Sequence, residues 1–403
     1  MRPLLRSQGG RKIDPELLKS PILIVDDIDT NRLLIAHNLH VRGYSNMAYA
    51  EDGIEALEIV AAFRPDLVIL DINMPRLDGF EVCRRLRSAP ETEELPILIQ
   101  TGTDNPSVRR DIFEAGASDF LSKPIDGDEL IARATIQLDR RALIRGLRKY
   151  HERTSEELRA ARVMQSSINP SIGVQRSLSE KYGLEIAGYA ECSSELGGDF
   201  WGLGDLGHGR ISVFIVDCSG HGVTAALNAF RLHALLAEFA ALRQEPARLL
   251  GALNGRLVDL LQPGQFATML SGVIDLGAKT VRYAAAGSPP PIFRSSHAAP
   301  LDLIDCAGVP LGITEDAFYT EHDRPFDQGG MLFLYSDGLT DLVDDAGRRI
   351  GESRLLEVVR RESAAPTATD LLTSVRAAFA RELEKPLVDD LTILGVGWKQ
   401  GPA

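Results

Sequence analysis

From Ile22 onward, short apolar runs alternate with longer amphipathic stretches: "ILIVDD", "NRLLIAHNLHVRG", "DGIEALEIVAAF" and "PDLVILDINMP". Runs of strand length separated by helical repeats predict βαβ units around a parallel sheet. The segments "LPILIQTG", "RDIFEAGA" and "SDFLSKPI" extend the pattern to Leu138. A doubly wound α/β domain is therefore expected over residues 20–138, after a flexible leader at 1–19. From Asp139 to Asn169 the pattern changes to a charged run without proline and with one glycine. Leu143, Leu147, Tyr150, Thr154, Leu158, Ala161, Met164 and Ile168 recur in it at steps of three and four. That stripe predicts a helical linker over 139–175, and a possible coiled coil whose seam Gly146, Thr154 and Ala161 weaken. Beyond it, strand-like runs dominate: "LEIAGYAEC", "RISVFIVDCS", "FATMLSGVID", "TVRYAAAG", "GMLFLYSDG" and a final "DDLTILGVGW". Helical patterns stand between them after "GHG", after Pro246 and over "ATDLLTSVRAAFARELE". This mixture predicts an α+β sandwich over 176–399.

In an open parallel sheet the functional crevice lies at the carboxyl ends of the strands. The polar residues closing the apolar runs of the first domain are Asp26 and Asp27, Asp71, Thr101 and Lys123. Two carboxylates about 4 Å apart repel by roughly 4 kcal/mol at an effective dielectric near 20. A cluster of three therefore needs a cation or raised pKa values. Mg²⁺ with Lys123 would provide the balance, since Mg²⁺ accepts one or two carboxylates together with waters and a phosphoryl group.

With "VDD", "LDINMPRLDGFEV", the "TG" at Thr101 and the "KP" at Lys123, residues 20–138 resemble a two-component response-regulator receiver domain. The resemblance implies a flavodoxin-like five-stranded parallel sheet with Asp71 as phosphoacceptor. It also implies Mg²⁺ held by Asp26, Asp27, Asp71 and the backbone carbonyl of Asn73. Lys123 would pair with the phosphoryl group, and Thr101 and Phe120 occupy the family's switch positions. The partner implied is a sensor histidine kinase or a phosphotransfer protein.

The C-terminal region repeats the placement of acids. Asp217 closes "SVFIV", Asp337 closes "LFLYS", Asp199 lies in "ELGGDFWGL", and Asp389 and Asp390 precede "LTIL". Neighbouring glycines let backbone carbonyls and waters approach whatever those acids hold. Carboxylates without His or Cys suit Mg²⁺ or Mn²⁺ rather than Zn²⁺. A pair of such ions supports in-line displacement at phosphorus. "GGDFWGL", "VDCSGHGVTAAL", "AAAGSPPPIF", "LYSDGLTD" and "DDLTIL", with the preceding "ELRAARVMQSSINP", make 176–399 resemble a SpoIIE-type, RsbU-like phosphatase of the metal-dependent PPM family. The resemblance implies a β-sandwich flanked by helices, two Mn²⁺ or Mg²⁺ ions and serine/threonine phosphoprotein phosphatase activity. Asp217 would bridge both ions and Cys218 would contribute its backbone carbonyl. Asp337 and Asp389 would complete one site, with Asp199 on the other side; Asp217 and Asp199 are the catalytic pair. Either acid of the doublet faces the metal, with Asp389 preferred over Asp390. His221 reads either as a turn residue at a helix start or as a general acid. Ser288, Cys192 and Trp201 depart from the family's usual words without removing a carboxylate.

Composition adds exclusions. A net charge of −13 argues against nonspecific attraction to nucleic acid or to an anionic membrane. No apolar run reaches the roughly 18–20 residues of a membrane span, and no signal-peptide pattern opens the chain, so a cytoplasmic protein is expected. The four cysteines, Cys83, Cys192, Cys218 and Cys306, show no metal-type spacing. Together the parts predict a response regulator in which Asp71 phosphorylation controls dephosphorylation of a protein. The resemblance points to a STAS-domain anti-sigma-factor antagonist as that substrate, in a partner-switching pathway, with a homodimer through the linker helix. The alternative is a non-catalytic binding or scaffold protein with a degenerate phosphatase domain.

Overall fold

The computed structural model describes residues 14–102, 105–362, 368–383, 385 and 387–399. The chain divides into two compact units, Met1–Thr154 and Ser155–Ala403.

In the first unit, β1 (Ile22–Val25), α1 (Asp29–Val41), β2 (Met47–Ala50), α2 (Gly53–Phe63), β3 (Leu67–Asp71), α3 (Gly79–Ser88), β4 (Ile97–Thr101), α4 (Pro106–Glu114) and β5 (Asp119–Ser122) alternate, and α5 begins at Gly127. The five strands are all parallel, in the order β2-β1-β3-β4-β5. β1, β3 and β4 are buried on both faces, which is why they read as unbroken apolar runs. Helix starts follow capping chemistry: Asp52 accepts from the N–H groups of Ile54 and Glu55, and Asp78 from that of Glu81. After β3 the chain folds tightly back. A Cβ on Gly79 would lie 2.3 Å from the carbonyl oxygen of Asp71, so this approach to the strand end requires glycine.

Most of the predicted leader, residues 1–13, lies outside the described residues. Its end is not a loose tail, because Leu17, in a short 3₁₀ turn, is 7% exposed and packs with Ile22 and Leu39. The predicted linker start at Asp139 is not an element boundary either, since α5 runs without interruption from Gly127 to Ser166. Leu130, Ile131, Ala134 and Leu138 bury its first turns, whereas Leu143, Leu147 and Tyr150 are about 70% exposed. Without proline or a capping residue to stop it, the last helix of the first unit continues. The expected boundary at 175/176 falls inside α6 (Ile172–Tyr182).

The second unit continues through β6 (Leu184–Glu191), β7 (Phe200–Gly207), β8 (Arg210–Cys218), α7 (Val223–Glu238), α8 (Pro246–Leu260), β9 (Ala267–Asp275), β10 (Thr280–Ala286), β11 (Ile292–Arg294), β12 (Asp302–Leu303), β13 (His322–Pro325), β14 (Met331–Tyr335), α9 (Asp337–Thr340), α10 (Gly351–Glu362), α11 (Ala368–Ala378), α12 (Ala380–Leu383) and β15 (Leu391–Trp398). Two five-stranded sheets form, β13-β10-β9-β8-β7 and β12-β11-β14-β15-β6. Trp201, Ile215, Leu270, Leu334 and Leu394 fill the space between them. α7 and α8 cover the outer face of the first sheet, and α10 and α11 that of the second. The result is the helix-flanked sandwich that the strand pattern predicts.

Candidate functional site

At the carboxyl ends of β1 and β3, Asp26, Asp27 and Asp71 each offer a ligand atom within 4.8 Å of the others. Asp26 is wholly buried and Asp71 is 5% exposed, while Asp27 faces solvent. Lys123, just after β5, places its ammonium 3.0 Å from Asp26 Oδ2 and 2.9 Å from Asp71 Oδ2. Asp26 Oδ1 also accepts from the Ile28 N–H and from Asn31 Nδ2. Burial pushes the Asp71 carboxyl up, against the pull of Lys123. Burial works to lower Lys123, but its hydrogen bonds to Asp71 and Asp26 prevail and its pKa rises. Asn73 is exposed two residues beyond Asp71. Thr101, buried at the end of β4, accepts from the Lys123 N–H through its carbonyl at 2.7 Å. The Phe120 ring meets Phe113 edge-on at 6.0 Å, and the guanidiniums of Arg109 and Arg133 lie over it. The lysine–proline bond after this site is cis.

In the second unit, Asp217 is the penultimate residue of β8, Asp337 opens α9 after β14, and Asp389 and Asp390 precede β15. Asp199 enters from the loop before β7. These acids act on one another. Asp217 is pushed up to about 7 by burial and by the charges of Asp337, Asp389 and Asp390. Asp199 is raised well above the usual carboxylate range by burial and by Asp217. Burial and Asp389 raise Asp337, and burial raises Asp389. Arg349, whose charge opposes the rise at Asp337, is paired with Asp341 at 2.8 Å. Both carboxylate oxygens of Asp199 are buried without a hydrogen bond of good geometry, while the Ser336 side chain pulls its pKa down and Asp217 pushes it up. Buried polar atoms are seldom left so, and an all-carboxylate set suits divalent ions of the Mg²⁺ or Mn²⁺ type. Among the described residues, however, three ligand atoms within 4.8 Å of one another occur only at Asp26, Asp27 and Asp71. Exposure is graded across the set, from buried Asp199 through half-buried Asp217 and Asp389 to Asp337 at the solvent lip.

The doublet divides its work. Asp390 is 2% exposed and accepts from the Ser193 N–H at 2.7 Å, from Ser193 Oγ at 3.0 Å and from the Gly198 N–H at 2.5 Å. These three donors tie Asp390 to the loop that carries Asp199. Asp389 accepts from the Asp390 N–H and remains half-exposed among the other acids. The carbonyl of Cys218 would lie 2.5 Å from a Cβ on Gly198, which is why the loop needs glycine there. His221 is exposed rather than packed in a turn, and its charge reaches Asp389.

Sequence reasoning missed the supports of this loop. Gln165, near the end of α5, bonds to Gly197 through both ends of its amide, and Asn169 Oδ1 accepts from the Trp201 N–H at 3.0 Å. Ser336 is buried and bridges to β15, its Oγ accepting from the Thr392 N–H at 2.9 Å. Polar side chains inside otherwise helical or apolar words carry no distinctive spacing; the available signal was the polar "QSSINP" closing the linker stripe.

Among the described residues no helix is long and apolar enough to cross a membrane. Residues 22–135 match the family model of the response regulator receiver domain, and residues 207–399 that of Stage II sporulation protein E (SpoIIE). The response regulator MprA of Mycobacterium sp. (strain KMS) is 48% identical over 119 residues, which are 30% of this chain and 50% of that protein. MprA of Mycobacterium ulcerans (strain Agy99) is 47% identical over 122 residues, again about half of the relative's length, 51%. The solved SiaA-PP2C domain of Pseudomonas aeruginosa shares the fold of the second unit, with a TM-score of 0.54 at 22% identity, over 62% of this chain and 99% of that one. Residues 22–135 therefore carry a response regulator receiver domain and residues 207–399 a SpoIIE (PPM phosphatase) domain.

Proposed function

We propose that phosphorylation of Asp71 controls a metal-dependent hydrolysis in the second unit that removes phosphate from a phosphoserine or phosphothreonine protein. The observation that carries this reading is the group of acids that push one another's pKa upward while Asp199 keeps two buried oxygens without a hydrogen bond of good geometry. Asp199, Asp217, Asp337, Asp389 and the Cys218 carbonyl are the residues to hold two Mn²⁺ or Mg²⁺ ions. Such ions, when bound, lower the pKa of a water toward neutrality and neutralise phosphoryl charge. The chain's own contribution is to fix these carboxylates at the ends of β8, β14 and β15, and to keep Asp390 locked to the Asp199 loop. In the receiver, Asp26, Asp27, Asp71 and the Asn73 carbonyl are the residues to hold Mg²⁺. Asp71 supplies the nucleophilic oxygen toward a kinase or phosphotransfer donor, and Lys123 already stands where it can neutralise an incoming phosphoryl group. The Thr101 and Phe120 face then carries the change, and α5 is the covalent path out of the receiver. Family resemblance supports a STAS-domain anti-sigma-factor antagonist as substrate and a homodimer through α5, in the cytoplasm.

The test is phosphate release from a panel of phosphorylated STAS proteins with Mn²⁺, comparing wild type, Asp71→Asn and beryllofluoride-treated protein. A different rate in the treated wild type, absent in Asp71→Asn, is expected; equal rates in all three remove the regulatory claim. Turnover in Asp217→Ala should fall by about 10²-fold or more, the scale of losing one preorganised electrostatic group. A normal rate there removes the catalytic claim.

A further inference from the structure

Gln165, near the C-terminal end of α5, is 5% exposed, and its carboxamide faces a single residue of the metal-site loop. Nε2 donates to the Gly197 carbonyl, and Oε1 accepts from the Gly197 N–H at 3.1 Å. An amide is the side chain that can donate and accept in one plane, so the pair fixes the orientation of Gly197 as well as its place. Gly197 leads directly into Gly198, whose N–H is bound by Asp390 at 2.5 Å, and then into Asp199. Two residues beyond Asp199, the Trp201 N–H is held by Asn169 at 3.0 Å. Asp199 thus stands between two anchors, both supplied by the short segment from Gln165 to Asn169. Its carboxylate oxygens make no hydrogen bond of good geometry, and the side chains that act on them are Ser336 and Asp217. Backbone anchors on either side therefore carry much of its placement.

We propose that Gln165 is a positioning residue for the phosphatase reaction: by clamping Gly197 it determines where the Asp199 carboxylate stands among Asp217, Asp337 and Asp389. The end of α5 is then part of the catalytic architecture and more than a tether. This inference rests on the reading of those acids as a metal-holding set.

The test uses the full chain carrying Gln165→Leu, which keeps the bulk and loses both bonds, or Gln165→Glu, which keeps the acceptor and loses the donor. Turnover of p-nitrophenyl phosphate is followed against Mn²⁺ concentration, and amide deuterium exchange is followed in metal-free protein. In Gln165→Leu, the Mn²⁺ needed for half-maximal rate should rise and kcat should fall, each by about tenfold or more, on the scale of unsatisfied buried peptide groups. KM for the small ester should stay within about threefold, because uniform substrate binding is not what is lost. Exchange at Gly197–Asp199 should quicken while that of β9 and β10 stays unchanged, and Gln165→Glu should fall between wild type and Gln165→Leu. Should Gln165→Leu lose protection throughout, Gln165→Glu decides by the same criteria. Unchanged Mn²⁺ dependence and kcat with faster local exchange would reduce Gln165 to a structural stitch and overturn the inference alone. A wild type without Mn²⁺-dependent turnover overturns the phosphatase reading and this inference with it.

Discussion

Each unit gathers carboxylates at strand ends, yet the two clusters balance their charge differently. In the receiver, Lys123 reaches both Asp26 and Asp71 within 3.0 Å, and Asn31 and the Ile28 N–H complete the shell of Asp26. A cation built into the chain makes the arrangement tolerable before any ligand arrives. In the second unit no described lysine or arginine forms an ion pair with Asp199, Asp217, Asp337 or Asp389; Arg349 turns to Asp341 instead. There burial and the neighbouring carboxylates raise the pKa values of all four acids instead. The contrast separates a site whose own lysine balances its acids from one whose acids no described lysine or arginine pairs.

The comparison breaks most readily at Lys123. Lys123→Met leaves Asp26 buried without its cation and should cost the receiver about 2 kcal/mol, below the 3–5 kcal/mol of a fully buried pair because the lysine is 26% exposed. The receiver's thermal transition measures this, and added Mg²⁺ should recover part of the loss. An unshifted transition would show that Lys123 is not what balances the cluster. A smaller effect separates the second site by pH. In metal-stripped protein Asp217 holds its proton up to about pH 7, whereas the unfolded chain releases it near the ordinary value of 3.8. Between those values the folded state binds more protons, so the stability due to Asp217 is present at low pH and declines as pH rises toward 7. The stability of wild type relative to Asp217→Asn should therefore fall between pH 4.5 and 7, and Mn²⁺ should flatten that slope. Urea unfolding at three pH values checks it, and a gap independent of pH contradicts it. Smallest is Asp27→Asn, at an exposed acid. Stability should change by no more than about 0.5 kcal/mol, while Mg²⁺ affinity of the receiver, read by calorimetry, decreases. An unchanged Mg²⁺ affinity would remove Asp27 from the ion's shell.

Legibility followed burial. β1, β3 and β4 are buried on both faces, so their apolar runs and the acids closing them stand out in a single chain. β7 did not, because "FWGLGDLG" has glycines where strands usually carry bulk. A Cβ on Gly202 would fall 2.0 Å from the Phe214 ring, and one on Gly188 2.0 Å from Trp201. Those glycines make room for aromatic side chains, Phe214 on the adjacent strand and Trp201 on the facing sheet, a reason invisible along the chain. α5 was assigned too late a start because its buried first turns and its exposed later turns do not share one stripe. The site followed the same rule. Asp217 and Asp337 were found by their positions at strand ends, whereas Gln165, Asn169 and Ser193 act through backbone bonds to residues distant in sequence.

The amino-acid order by itself determined which carboxylates end strands, since strand length and apolar burial are local properties. It determined equally that glycines flank those carboxylates. Folding alone decided what Asp390 meets: Ser193 and Gly198, almost two hundred residues away, hold it. It also decided that α5 reaches the Asp199 loop, because a hydrogen bond depends on where two groups meet in space and not on how far apart the chain writes them.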